Sequence, residues 1–113
     1  MKILLFLLGL WILPVMAQNF LPGTEDIPLM DGLTQVEETA SFDNPSERMV
    51  LISAQTSLPP KKVQAFYSQS LKNLGWTEVK PNVFERGSDS FSLEILKQGK
   101  MFQLQFRLSE RNL

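Results

Sequence analysis

Two periodicities divide the chain. Val63, Phe66, Tyr67, Ser70, Leu71 and Leu74 recur at intervals of three and four, the spacing of one helix face. Lys61, Lys62, Gln64, Gln69, Lys72 and Asn73 fall on the other side. Further on the period drops to two. Phe91, Leu93 and Ile95 alternate with Ser90, Ser92 and Glu94, and Phe102, Leu104, Phe106 and Leu108 alternate with Gln103, Gln105 and Arg107. Alternation puts each set on one face of a strand, and the Gln98-Gly99 turn between the two runs makes them a hairpin.

The helix has definite ends. Pro60 suits the first turn, where its missing N–H has no partner to lose. Gly75 stands where a left-handed C-terminal cap is wanted, with Trp76 beyond it to fold back on the helix. The expected extent is about 60–74. Strand-like runs at 34–42, 47–56, 76–80 and 83–86 are separated by Asp43-Asn44-Pro45-Ser46, Pro81-Asn82 and Gly87-Ser88. The run 47–56 has Val50 and Ile52 on one face and Met49 and Leu51 on the other, as expected of a central strand covered on both sides. Short turns favour antiparallel neighbours. The expected fold is α+β, a two-layer sandwich of one helix on an antiparallel sheet of five to six strands, in the order β-β-α-β-β-β-β. The closing strand, Met101 to Leu108, is a candidate edge that could accept a partner strand.

The segment before the first strand has a different character. Met1-Lys2, the dense apolar run Ile3–Val15 and the permissive Val15-Met16-Ala17 read as an export leader over 1–17, cleaved near Ala17-Gln18. The apolar run is shorter than the roughly 18 residues that span a bilayer. An uncleaved inner-membrane anchor is the alternative, and only then would the chain touch a membrane. Residues 18–33 hold two prolines and two glycines yet carry Phe20, Leu21, Ile27, Leu29, Met30 and Leu33, which suggests an extended arm lying on an edge or face of the domain, 34–113.

Composition narrows the chemistry. The chain of 113 residues has a net charge of −1, no His and no Cys. Length allows one domain, and the charge argues against nucleic acid as a partner. Without His or Cys there is no Ser-His-Asp or Cys-His catalysis and no usual zinc site. No phosphate-cradling glycine loop occurs. No catalytic, cofactor or metal residue is therefore assigned. Glu25, Asp26 and Asp31 lack the spacing of a calcium loop and read as surface turn residues. Lys61 and Lys62 oppose the helix dipole, which leaves either solvated lysines or an anion contact. The candidate partner-binding residues are Lys61, Lys62, Met101, Gln103, Gln105 and Arg107. The aromatic set Phe66, Tyr67, Trp76, Phe84, Phe91, Phe102 and Phe106 is either core or an apolar pocket, and core is the more economical reading.

The motifs Asp26-Ile27-Pro28-Leu29-Met30-x-Gly32-Leu33, Phe42-Asp43-x-Pro45-x-x-Arg48, Val63-x-x-Phe66-Tyr67-x-x-x-Leu71-x-x-Leu74-Gly75-Trp76 and Phe84-x-Arg86 resemble a group of small exported proteins of alphaproteobacteria. In outline the helix-to-Gly-Trp signature is also similar to the α+β domains of the envelope lipoprotein BamC. This chain departs from such lipoproteins in lacking a lipidation Cys and in opening its helix with two lysines. These resemblances imply a periplasmic or secreted location and no catalytic residues. The expected function is non-enzymatic binding at the cell envelope, with another envelope protein as the partner. The alternative is carriage of a small apolar ligand or lipid between helix and sheet.

Overall fold

The computed structural model describes residues 19–111; the expected leader and its cleavage point fall outside them. Six strands and one helix follow in the expected order: β1 (Thr34–Asn44), β2 (Glu47–Thr56), α1 (Pro60–Asn73), β3 (Thr77–Lys80), β4 (Val83–Arg86), β5 (Asp89–Gln98) and β6 (Met101–Arg111). All pairings are antiparallel, and the helix packs on one open sheet in the spatial order β1-β2-β6-β5-β4-β3. The helix carries the chain from β2 to the far edge at β3. The meander then returns until β6 closes against β2.

This order corrects one expectation. β6 is interior, paired along its length with β2 on one side and β5 on the other. Its backbone has no free edge to offer. The edges are β1 and β3.

Local chemistry sets the ends of the elements. The Gly75 N–H donates to the Lys72 carbonyl (3.1 Å) and the Trp76 N–H to the Leu71 carbonyl (2.9 Å). With Gly75 at φ +92 this is the paired capping arrangement in which a left-handed residue satisfies the last helical carbonyls. Trp76 and Leu71 are both buried where the chain folds back. The β1–β2 turn is held by Asn44, whose Oδ1 accepts from the Ser46 and Glu47 N–H groups at 2.9 and 2.8 Å.

The core lies on one face of the sheet. Val63, Tyr67 and Leu71 of α1 meet Phe84, Phe91, Leu93, Leu104, Phe106 and Leu108. The buried stripe is narrower than the sequence suggests: Phe66 is half-buried, and Leu74 at the helix end is exposed. One helix is too narrow to cover six strands, and residues 19–33 cover the rest of the same face. Leu21 and Ile27 are fully buried with Val50, Ile52 and Ala54 of β2. A Cβ on Gly23, at φ +80, would stand 2.9 Å from Val50 Cγ1, so the backbone there lies directly on β2.

Four side chains hold this strap through polar contacts. The Tyr67 hydroxyl donates to the Pro28 carbonyl (2.9 Å) and accepts from the Met30 N–H (3.4 Å). Thr56 Oγ1 donates to the Gly32 carbonyl (3.0 Å). Arg48 donates to the Gly23 carbonyl and pairs with Glu110 (2.8 Å). Arg86 pairs with Asp26 (3.1 Å), donates to the Leu74 carbonyl (3.0 Å) and lies 4.4 Å over the Trp76 ring. A cation on a helix-terminal carbonyl also suits the helix dipole.

Candidate binding face

The other face of the sheet carries no covering layer among the described residues. Antiparallel partners share a face, so the register defines it: Leu51 sits beside Arg107 and Ser53 beside Gln105 across β2 and β6, and Ser92 sits beside Arg107 and Glu94 beside Gln105 across β6 and β5. β1 adds Glu37 opposite Ser53 and Phe42 opposite Met49. The expectation that β2 is covered on both sides therefore fails. Met49, Leu51 and Ser53 are only half-buried, shielded by their neighbours within the sheet rather than by a second layer.

Along this face runs a hollow of about 640 Å³, bordered by Glu37, Leu51, Ser53, Ser92, Glu94 and Arg107 among others. Its lining is mostly hydroxyls, amides and charges, with Leu51, Ile52 and Phe106 as the apolar part. No side chain of Glu37, Glu94, Gln105 or Arg107 makes an ion pair or hydrogen bond among the described residues. Gln103 is engaged with Gln98 (2.8 Å). The floor thus holds a guanidinium with five donors and two carboxylates, all available to a ligand.

The sequence-derived candidates divide between two places. Gln103, Gln105 and Arg107 lie together on this face, with Met101 at the hairpin end of the same strand opposite Gln98. Lys61 and Lys62 are exposed in the first turn of α1, on the opposite side of the sheet, where Lys61 borders a shallow dip beside Glu78 and Lys80. Glu37, Ser53, Ser92 and Glu94 were not among the candidates. The alternation of β5 turned Ser92 and Glu94 outward and the hairpin with β6 sets them beside Arg107 and Gln105, whereas Glu37 and Ser53 join them only through the strand order.

The helix side carries a more open hollow of about 620 Å³ at its surface, bordered by Lys61, Ser68, Glu78 and Lys80, but the space between helix and sheet is filled. Phe91 and Phe106 stack at 5.8 Å between centroids, Tyr67 meets Phe106 edge-on at 5.3 Å, and all three are fully buried. Burial pushes the Tyr67 hydroxyl well above the ordinary tyrosine range, with the Met30 N–H a smaller opposing influence. Trp76 Nε1 is buried without a hydrogen-bond partner beneath Arg86. Among the described residues no group of His, Cys, Asp and Glu could hold a metal ion, and no helix is long and apolar enough to cross a membrane.

One helix laid across an antiparallel sheet, with a polar face left open, places the chain among α+β domains whose sheet is covered on one side. The model of the START domain-like family matches residues 33–106, from the end of the strap into β6, and the chain belongs to that family. Membership suggests a ligand-binding domain. The motifs quoted above point to other groups, and the match neither adds to nor removes those resemblances. No curated protein and no solved structure matches the chain.

Proposed function

We propose that the chain is a non-enzymatic binding domain that works outside the cytoplasm, at the cell envelope, and holds a polar envelope component on the open face of its sheet. The observation that carries this reading is the unpaired Arg107 on the floor of a hollow lined by Ser53, Ser92 and Gln105, with Glu37 and Glu94 at its sides. Those charges fit a ligand with an anionic group for the guanidinium and hydrogen-bond donors for the two carboxylates. The family match supports ligand binding, and the leader-like run Ile3–Val15 supports export. The absence of His and Cys narrows the chemistry of an enzyme to carboxylates, Lys, Tyr or Ser. Among the described carboxylates Asp26 is paired with Arg86, so the turn-rich strap offers no ready acid-base couple.

An apolar ligand between helix and sheet is the weaker reading, because Tyr67, Phe91 and Phe106 already fill that space.

The test is native mass spectrometry of the protein isolated from its own cells. A bound component is expected on the wild type and not on Arg107→Ala. Retention by Arg107→Ala, or loss only when Phe91 is altered, would move the ligand to the helix side. Recovery of a chain beginning at Gln18 from the periplasmic fraction is the matching result for location, and an intact Met1 chain in the membrane fraction would contradict it.

A further inference from the structure

We propose that the free edge of β1 is a docking strand for an extended, lysine- or arginine-bearing segment of another protein. This goes beyond the binding face above, since it uses the backbone at the rim of the sheet rather than the side chains around Arg107.

The two edges differ. β3 has four residues and carries Lys80, an effective block against strand addition. β1 has 11 residues, nearly all exposed, and pairs only with β2. Its pairing is irregular between Thr34 and Glu37 and between Glu38 and Ala40, but from Ala40 to Asn44 it is continuous. Over that stretch half of the backbone N–H and C=O groups point away from β2, ready for another ladder.

Charge selects the occupant. β1 holds Glu37, Glu38 and Asp43 and no cation. A second copy is a poor fit. Self-pairing centred on Ala40 would set Glu37 against Asp43 of the other chain, and directly opposed like charges weaken a sheet. A basic segment meets the reverse situation. Cross-strand partners divide β1 into two rows: Glu37, Ala40 and Phe42 on the open face, Glu38, Ser41 and Asp43 on the helix face. The incoming strand would place cations opposite Glu38 and Asp43, and on its other face an apolar residue beside Phe42. That ring is 53% exposed and adjoins Met49, so it offers an apolar contact.

The experiment uses the whole protein and three synthetic peptides of about ten residues, a length typical of a long strand. One alternates lysine with valine, the second alternates glutamate with valine, and the third is the lysine peptide N-methylated at every second residue. The lysine peptide is expected to shift the amide resonances of residues 40–44 and slow their hydrogen exchange, while the glutamate peptide leaves both unchanged. N-methylation, which removes the ladder without touching charge, should weaken binding at least about tenfold. Glu38→Lys with Asp43→Lys should cost the lysine peptide about tenfold and admit the glutamate peptide. Four results would overturn the proposal: no binding of the lysine peptide, equal binding of its N-methylated form, shifts centred on Arg107, or concentration-dependent dimers through β1. The Arg107→Ala protein should bind the lysine peptide normally, which separates failure here from failure of the open-face reading.

Discussion

Within β6, Leu104, Phe106 and Leu108 point to helix and strap, while Gln103, Gln105 and Arg107 point to the open side. The first row is buried among aromatics; the second borders a hollow with unpaired charges. A single strand therefore serves two environments by alternation alone. On the helix face each side chain has neighbours that cannot relax far, so its removal leaves a cavity. On the open face a side chain has water as its alternative partner, and its loss costs little.

That contrast can be broken most forcefully at Phe91, which touches Tyr67, Trp76, Phe84 and Phe106. Phe91→Ala is expected to cost about 3–5 kcal/mol in a denaturant titration. Tyr67→Phe keeps the ring but leaves the Pro28 carbonyl and the Met30 N–H unmatched beneath the strap. A loss of about 1–3 kcal/mol is expected, with faster hydrogen exchange across residues 21–30. Gly75→Ala sets a Cβ on a backbone at φ +92 and should cost about 1–2 kcal/mol by thermal melting.

Alkaline titration sharpens the same comparison. Burial raises the Tyr67 hydroxyl above the ordinary value of 10.0, so the folded chain holds this proton more tightly than the unfolded chain. Its contribution is whole below that pH. Above it stability falls by about 1.4 kcal/mol per pH unit until the folded group also ionises. Tyr67→Phe should lack this part of the decline. Since the chain has a single tyrosine, absorbance of the tyrosinate reports the event directly. The smallest effect is expected on the open face: Arg107→Ala should change stability by less than about 0.5 kcal/mol, while the bound component disappears in native mass spectrometry.

The elements of the fold were legible because their signals are local. Val63, Tyr67 and Leu71 announce the helix, Gly75 its end, and Phe91 and Phe106 the inward rows of the last hairpin. The position of β6 was not legible. A strand with one buried face alternates in the same way at the rim of a sheet and at its centre, so Leu104 and Gln105 hold no record of how many neighbours they have. β1 did carry a usable sign: Glu37 and Glu38 are consecutive, hence on opposite faces, and two wet faces suit a rim. The candidate site was half readable. Gln103, Gln105 and Arg107 follow from the alternation of their own strand and Ser92 from the hairpin it shares with them, whereas Glu37 and Ser53 reach them only through pairings distant in the chain. The strap was expected to cover something, but only the Tyr67, Thr56 and Arg48 contacts show that it shares a face with the helix.

The central place of the last strand also bears on how the domain comes into being. Arg48 and Glu110, joined across β2 and β6, are 62 residues apart in the chain. As the polypeptide is made, β1–β2 and β3–β4–β5 can form as two separate ribbons joined by α1, with the inner edge of β2 unpaired. Only β6 unites them. Completion of the sheet must therefore wait for β6, and such non-local pairing is slow. The interval before closure is when this protein is most exposed to aggregation and proteolysis.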